Sequence, residues 1–325
     1  KRLIEEIVTR LGPSERASIV SIDGQGGIGK SALALDVATI CQNKGMFDQY
    51  VWLTAAGNPT EQRFSIENLL NVVGFELEGE AFVNRTFEER KRICLDFFTN
   101  TRSLVVLDNL ETAVQPQHEI IQQLHSLLGN SKAIVTSRHR VRHHTYPIHL
   151  TGLAEEEAID LIHQCGQDKG IHSIETLSRE EANAIILTTG GSPLAIQLVV
   201  SHLHHLPLPV VLKSLSEITP LSQISDEGEY VKFYKHVFHH SWRLLDKGSK
   251  SVLVTMAQFV PTNGAQFEAI QHISELEFGI LLGCIETLWD SSLLEIRTSS
   301  GLSQLRYYLH PLTHNFVLSD IAKVI

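Results

Sequence analysis

The chain has 325 residues, about twice the usual domain size, and a hydrophobic fraction of 43% with 20% charged residues, so two or three packed units are expected and wholesale disorder is not. A formal net charge of -10 repels a phosphate backbone and argues against nucleic acid as a partner. No apolar run spans a bilayer, and Cys41, Cys94, Cys165 and Cys284 form no CxxC pair; a soluble, cytoplasmic chain without disulfide framework, thiolate zinc site or membrane partner is expected.

In chain order, Lys1-Arg2-Leu3-Ile4 begins inside a helical pattern without an initiator methionine, which suggests a piece of a longer protein. From Ala17 to Leu150, short apolar runs alternate with helical patterns. The runs are Ile19 to Ile22, Tyr50 to Leu53, Leu104 to Leu107, Ala133 to Thr136 and Tyr146 to Leu150. Strands that are apolar throughout and separated by helices predict a five-stranded parallel α/β sheet covered on both faces.

After Leu150 the strand signal stops. Glu155 to Cys165, Arg179 to Thr189 and Pro193 to His205 carry apolar residues at helical spacing, and Pro207 and Pro209 precede another short helix. The polar stretch Ser222 to Glu229 reads as a linker. Helical patterns follow at Tyr230 to Leu245, Ser249 to Phe259 and Phe278 to Trp289. Ser292 to Arg297, a Ser299-Ser300-Gly301 turn and Gln304 to Leu309 then outline the hairpin of a winged helix. The expected domains are residues 1–150, 151–222 and 223–325.

Chemistry enters at Gly24-Gln25-Gly26-Gly27-Ile28-Gly29-Lys30-Ser31, a GxxxxGKS loop placed between a strand and the helix Ala32 to Cys41. Glycines let the backbone approach phosphates, so amides across Gly26, Gly27, Ile28, Gly29, Lys30, Ser31 and Ala32 are expected to cradle ATP or ADP. Lys30 is the mobile cation for the outer phosphates, and the Ser31 hydroxyl is placed to ligate magnesium. Leu104 to Leu107 carry Asp108 to the carboxyl end of a buried strand, where it is expected to hold the same magnesium shell. The next residue, Asn109, is an amide and no proton acceptor. Glu111 is the nearest substitute carboxylate for a general base, or else a solvated surface acid. Arg138, after the strand Lys132 to Thr136, is either a sensor of the terminal phosphate or a plain surface arginine.

Gly24 to Ser31, Leu104 to Asn109, Thr136-Ser137-Arg138 and Gly191-Ser192-Pro193-Leu194, in this order, resemble the NB-ARC branch of the STAND P-loop NTPases, over nearly the whole chain. The resemblance implies a P-loop NTPase domain, a four-helix domain and a winged helix. It places Pro193, with Leu194, near adenine, and assigns His310, in Tyr308-Leu309-His310-Pro311-Leu312, to the β-phosphate of ADP. Pro311 stands where the family usually has aspartate, and the family's adenine-holding segment ahead of the first helix would precede Lys1.

The resulting expectation is a signalling switch with slow ATP hydrolysis. It would be closed with ADP and open and self-associating with ATP, with fused sensor or effector domains outside this fragment. A DNA-binding regulator using the winged helix is the alternative, opposed by the acidic balance and the few basic residues in Phe267 to Trp289. An ordinary P-loop enzyme is opposed by the missing carboxylate after Asp108. Two histidine groups, His139 with His143 and His144, and His236 with His239 and His240, lack HExxH or cysteine-pair spacing and argue against zinc. The run Arg138-His139-Arg140-Val141-Arg142 reads as a solvated loop.

Overall fold

The first 150 residues build a parallel sheet with helices on both faces, in the element order α1 (Arg2–Arg10), β1 (Ile19–Asp23), α2 (Lys30–Asn43), β2 (Gln49–Thr54), α3 (Ile66–Glu78), α4 (Phe87–Asn100), β3 (Ser103–Asp108), α5 (Gln117–Leu127), β4 (Lys132–Ser137) and β5 (Tyr146–His149). The computed structural model describes residues 2–54, 65–113, 115–141, 143–224, 226–261, 263–298 and 305–321. Every described pairing in the sheet is parallel, and the strand order is β2-β3-β4-β1-β5.

The three inner strands are buried at every position, and their side chains sort by parity. Ile19, Val105, Leu107, Ala133 and Val135 join a core with α3, α4 and α5. Val20, Ile22, Leu104, Val106 and Ile134 join another with α1 and α2. That double coverage is why these strands read as unbroken apolar runs.

Register places the functional ends. Leu107 pairs with Val135, and Ile22 pairs with Thr136, so Asp108, Thr136 and the start of the loop after β1 end level at the sheet's carboxyl edge. Ligands of open α/β sheets bind along that edge.

Residues 151–325 form a second compact unit: α6 (Glu155–Asp168), α7 (Arg179–Thr189), α8 (Pro193–Ser201), α9 (Leu208–Leu215), α10 (Glu227–Leu244), α11 (Lys247–Met256), α12 (Phe267–Ser274), α13 (Phe278–Asp290), β6 (Glu295–Thr298), β7 (Leu305–Tyr308) and α14 (Pro311–Phe316). β6 and β7 pair antiparallel; the expected Ser299-Ser300-Gly301 turn lies outside the described residues. The expected linker Ser222 to Glu229 is shorter than its polarity suggests. The Asp226 carboxylate accepts from the Glu229 amide and starts α10 at Glu227, so a capping residue, not a loop, explains the acidic composition.

One continuous core runs through this unit from Ala158 to Ile321. Polar bonds lock it at defined points. Ser192 Oγ meets the Tyr234 hydroxyl at 2.8 Å, and the Lys169 ammonium donates to the carbonyls of Trp289 and Asp290, closing the carboxyl end of α13. Among the described residues no helix is long and apolar enough to cross a membrane.

His202 is buried, with Nε2 2.8 Å from Ser241 Oγ, which itself donates to the Val237 carbonyl; the ring proton therefore sits on Nε2. Burial, reinforced by neighbouring His240, His205 and His236, pushes its pKa down to about 3. The unfolded chain, near the ordinary value of 6.5, then binds more protons between those limits, so stability falls as pH drops through that window. His202→Gln is expected to flatten the fall of the urea midpoint below pH 6.5. A variant as acid-sensitive as the parent would contradict this.

Candidate functional site

The loop after β1 turns into α2 through Gly27 (φ 70°) and Gly29 (φ 101°), left-handed conformations that a side chain would strain. Gly29 is the N-cap of α2 and no side chain caps the helix, leaving the amides of its first turn to point along the axis out of the helix. Gly26 and Ile28 are buried within the loop, while Ala32 is exposed on the first turn.

Lys30 is buried, and its ammonium donates to the carbonyls of Gly24 and Gln25, each at 2.9 Å. Burial lowers its pKa, opposed first by the negative charge of Glu111 and then by Asp108 and Asp23, while Arg138 adds to the lowering. The loop is thus wrapped around its own cation. A phosphate oxygen is a stronger acceptor for ammonium than a carbonyl.

Ser31 Oγ donates to Asp108 Oδ1 at 2.7 Å, and Thr136 Oγ1 donates to the same oxygen. The Thr136 hydroxyl also accepts from the Asn109 amide at 2.9 Å. Asn109 takes a left-handed conformation (φ 59°), and its side-chain amide donates to Asp108 Oδ2 at 3.2 Å. A serine hydroxyl and a buried carboxylate within bonding distance of each other are hard oxygen donors of the kind magnesium takes beside nucleotide phosphates, so the residues fit that ion.

Glu111 and Arg138 meet. Glu111 Oε2 accepts from the Arg138 amide, and Oε1 lies 3.2 Å from its Nε. The carboxylate proposed as a base and the guanidinium proposed as a sensor are therefore one ion pair, with Glu111 the more enclosed partner.

Sequence reasoning assigned no role to Thr136, Asp23 or His149. Asp23, the last residue of β1, is buried, with Oδ2 2.6 Å from His149 Nδ1 and Oδ1 3.8 Å from Arg140 Nε. The signal was present: an acid closing a buried strand is a buried polar group that requires partners. The partners lie more than a hundred residues on, and spacing does not reveal them. Of the basic run, Arg142 lies outside the described residues.

In the second unit, Pro193 occupies the first turn of α8, half-buried, after Gly190 and Gly191 in left-handed conformations; Leu194 is buried. Gly191 contributes its carbonyl to the Leu153 amide at 2.9 Å. His310 is the N-cap of α14, its Nδ1 accepting from the Leu312 amide at 3.2 Å, so in the neutral ring the proton lies on Nε2. Pro311 opens that helix, where its missing amide costs nothing.

The NB-ARC domain family model matches residues 1–171, more than half of the chain. Comparison with curated proteins gives no match. Among solved structures, the chain resembles a signal transduction ATPase with numerous domains (STAND) with a tetratricopeptide repeat sensor from Pyrococcus horikoshii, at TM-score 0.63 and 19% identity. The alignment covers 98% of this chain and 42% of that one, so the chain spans less than half the length of that protein; the likeness is one of fold. Looser similarity extends to Cdc6p from Pyrobaculum aerophilum, at TM-score 0.46 and 12% identity over 99% of this chain and 93% of that one. Drosophila ORC bound to DNA stands at TM-score 0.46 and 11% identity over 98% and 85%.

Thr136→Val keeps the side-chain shape and removes both hydroxyl bonds, leaving the Asn109 amide and an Asp108 lone pair without that partner. A loss of about 1–3 kcal/mol in urea denaturation is expected. An unchanged midpoint would remove Thr136 from the site.

Proposed function

The chain belongs to the NB-ARC family, and from that premise we propose that it is an adenine-nucleotide-binding signalling switch whose first unit grips ATP or ADP with magnesium. The observation that carries this reading is the shared oxygen of Asp108: it joins the Ser31 hydroxyl next to the buried Lys30 ammonium, at the N-terminus of a helix with no side-chain cap. Such a grouping has donors for phosphates and oxygens for a hard cation, and nothing in it suits an apolar ligand.

In this reading Lys30 exchanges the carbonyls of Gly24 and Gln25 for the outer phosphates, and amides from Gly26 to Ala32 hold the remaining oxygens. Magnesium, when bound, supplies charge neutralisation at the phosphates; Ser31 and Asp108 are the residues that hold it. Arg138 responds to the terminal phosphate by leaving Glu111, because the phosphate's greater negative charge competes for the guanidinium. Glu111, so released, is the base available to a water.

Hydrolysis is slow, because Asn109 spends its amide on Asp108 and Glu111 is held by Arg138 until displaced. In the second unit, the NB-ARC resemblance assigns Pro193, with Leu194, to adenine and His310 to the β-phosphate of ADP.

The proposed divisions are a nucleotide-binding domain at 1–150, a four-helix domain at 151–222 and a winged helix at 223–325, in which α12, α13, β6 and β7 supply the helix and wing. ADP favours a closed state and ATP an open, self-associating one. At a thousandfold excess over its dissociation constant, a nucleotide adds about 4 kcal/mol to the state that binds it. Nucleotide exchange then governs the population of states more than turnover does.

Lys30→Ala is expected to abolish nucleotide binding by calorimetry, and parent-like affinity would refute the site. Chromatography of nucleotide released by heat denaturation identifies the bound species. His310→Ala is expected to lower ADP occupancy or promote oligomers; unchanged occupancy together with an unchanged sedimentation profile would remove His310 from the switch.

A further inference from the structure

The solvent face of α13 has a composition that the second unit's own packing does not require. Leu281, Cys284, Ile285 and Leu288 point into the core and complete that side of the helix. On the other side Phe278 is 61% exposed, Ile280 54% and Leu282 38%. Between these apolar side chains lie Gly279 and Gly283, one turn apart, with nothing among the described residues, beyond the helix's own backbone, within 4 Å of where a Cβ would stand. Glycine is among the weakest helix formers, and neither position has a positive φ that would require it. What two glycines supply here is a shallow shelf that lets another backbone approach closely, bordered by Phe278 and Leu282. Phe278 is held in place, its ring 5.1 Å from that of Phe267 on α12.

Charge selects the occupant. From residue 251 to 296 the sequence has no lysine or arginine and six carboxylates: Glu268, Glu275, Glu277, Glu286, Asp290 and Glu295. Glu275 and Glu277 precede α13, and Glu286 is exposed on the same side as the glycines. Two copies of this face packed together would oppose their own acids, and a nucleic acid would meet the exposed carboxylates of Glu277 and Glu286. An apolar ridge flanked by lysine or arginine satisfies both the shelf and its rim.

We propose that the Gly279–Gly283 face of α13 is a docking surface for a basic amphipathic helix of a partner protein, seated against the glycines and flanked by Phe278 and Leu282. Electrostatic attraction to Glu277 and Glu286 sets its preference for basic partners, and apolar contact on the shelf provides the specificity. The proposal is independent of nucleotide binding by the first unit.

The test uses the full chain and three probes: a synthetic helical peptide with an alanine and leucine face flanked by lysines, the same peptide with glutamates in place of lysines, and random duplex DNA. Fluorescence anisotropy is expected to show binding of the lysine peptide alone, weakening with added salt. Gly283→Leu, which fills the shelf without altering charge and favours the helix, is expected to weaken that binding about tenfold or more. Glu286→Gln is expected to reduce the salt dependence, and Leu187→Ser, at an exposed apolar position on α7, to leave binding unchanged. Parent-like binding by Gly283→Leu, equal binding of the glutamate peptide or of DNA, or self-association that Gly283→Leu abolishes would each overturn the proposal.

Discussion

One oxygen of the buried Asp108 carboxylate accepts hydroxyl bonds from Ser31 at the start of α2 and from Thr136 in β4, and through it the phosphate loop is tied to the sheet. A buried carboxylate is costly unless its lone pairs are satisfied, so the arrangement holds only while loop, β3 and β4 keep their relative positions. The requirement runs the other way too. β3 and β4 are registered so that Asp108 and Thr136 end level, and the core on each face of the sheet maintains that register.

Around this point the site balances charge internally. The Lys30 ammonium is enclosed and faces Glu111, Asp108 and Asp23; Glu111 is paired with Arg138, and Asp23 with His149 and Arg140. Cations and carboxylates in a low-dielectric edge attract strongly, and an incoming polyanion competes with the carboxylates for the Lys30 and Arg138 cations.

The second unit depends on a different constraint. Its core includes buried residues on both sides of the polar stretch Ser222 to Glu229, from Ala158 to Ile321. Fixed hydrogen bonds such as His202 to Ser241 and Ser192 to Tyr234 join helices on both sides of that point and hold α8 against α10. Chain polarity at the surface reports a capped helix start, whereas the core reports what is folded together.

Local rules made much of this legible. The five strand positions follow from apolar runs bounded by turn residues, and the GxxxxGKS loop identifies its own chemistry because the glycines, lysine and serine that act together are neighbours in sequence. Asp108 was legible because an apolar strand delivers it to a known edge. Pairings between distant polar residues were not. Thr136 with Asp108, Glu111 with Arg138 and Asp23 with His149 depend on strand register and on which loop folds over which end, quantities fixed by long-range packing. Sequence alone therefore determined the sheet class and the place of the glycine-rich loop between β1 and α2. Only the tertiary structure decided which carboxylates restrain which cations and that α13 leaves a glycine shelf exposed, because both depend on side chains brought together by the core.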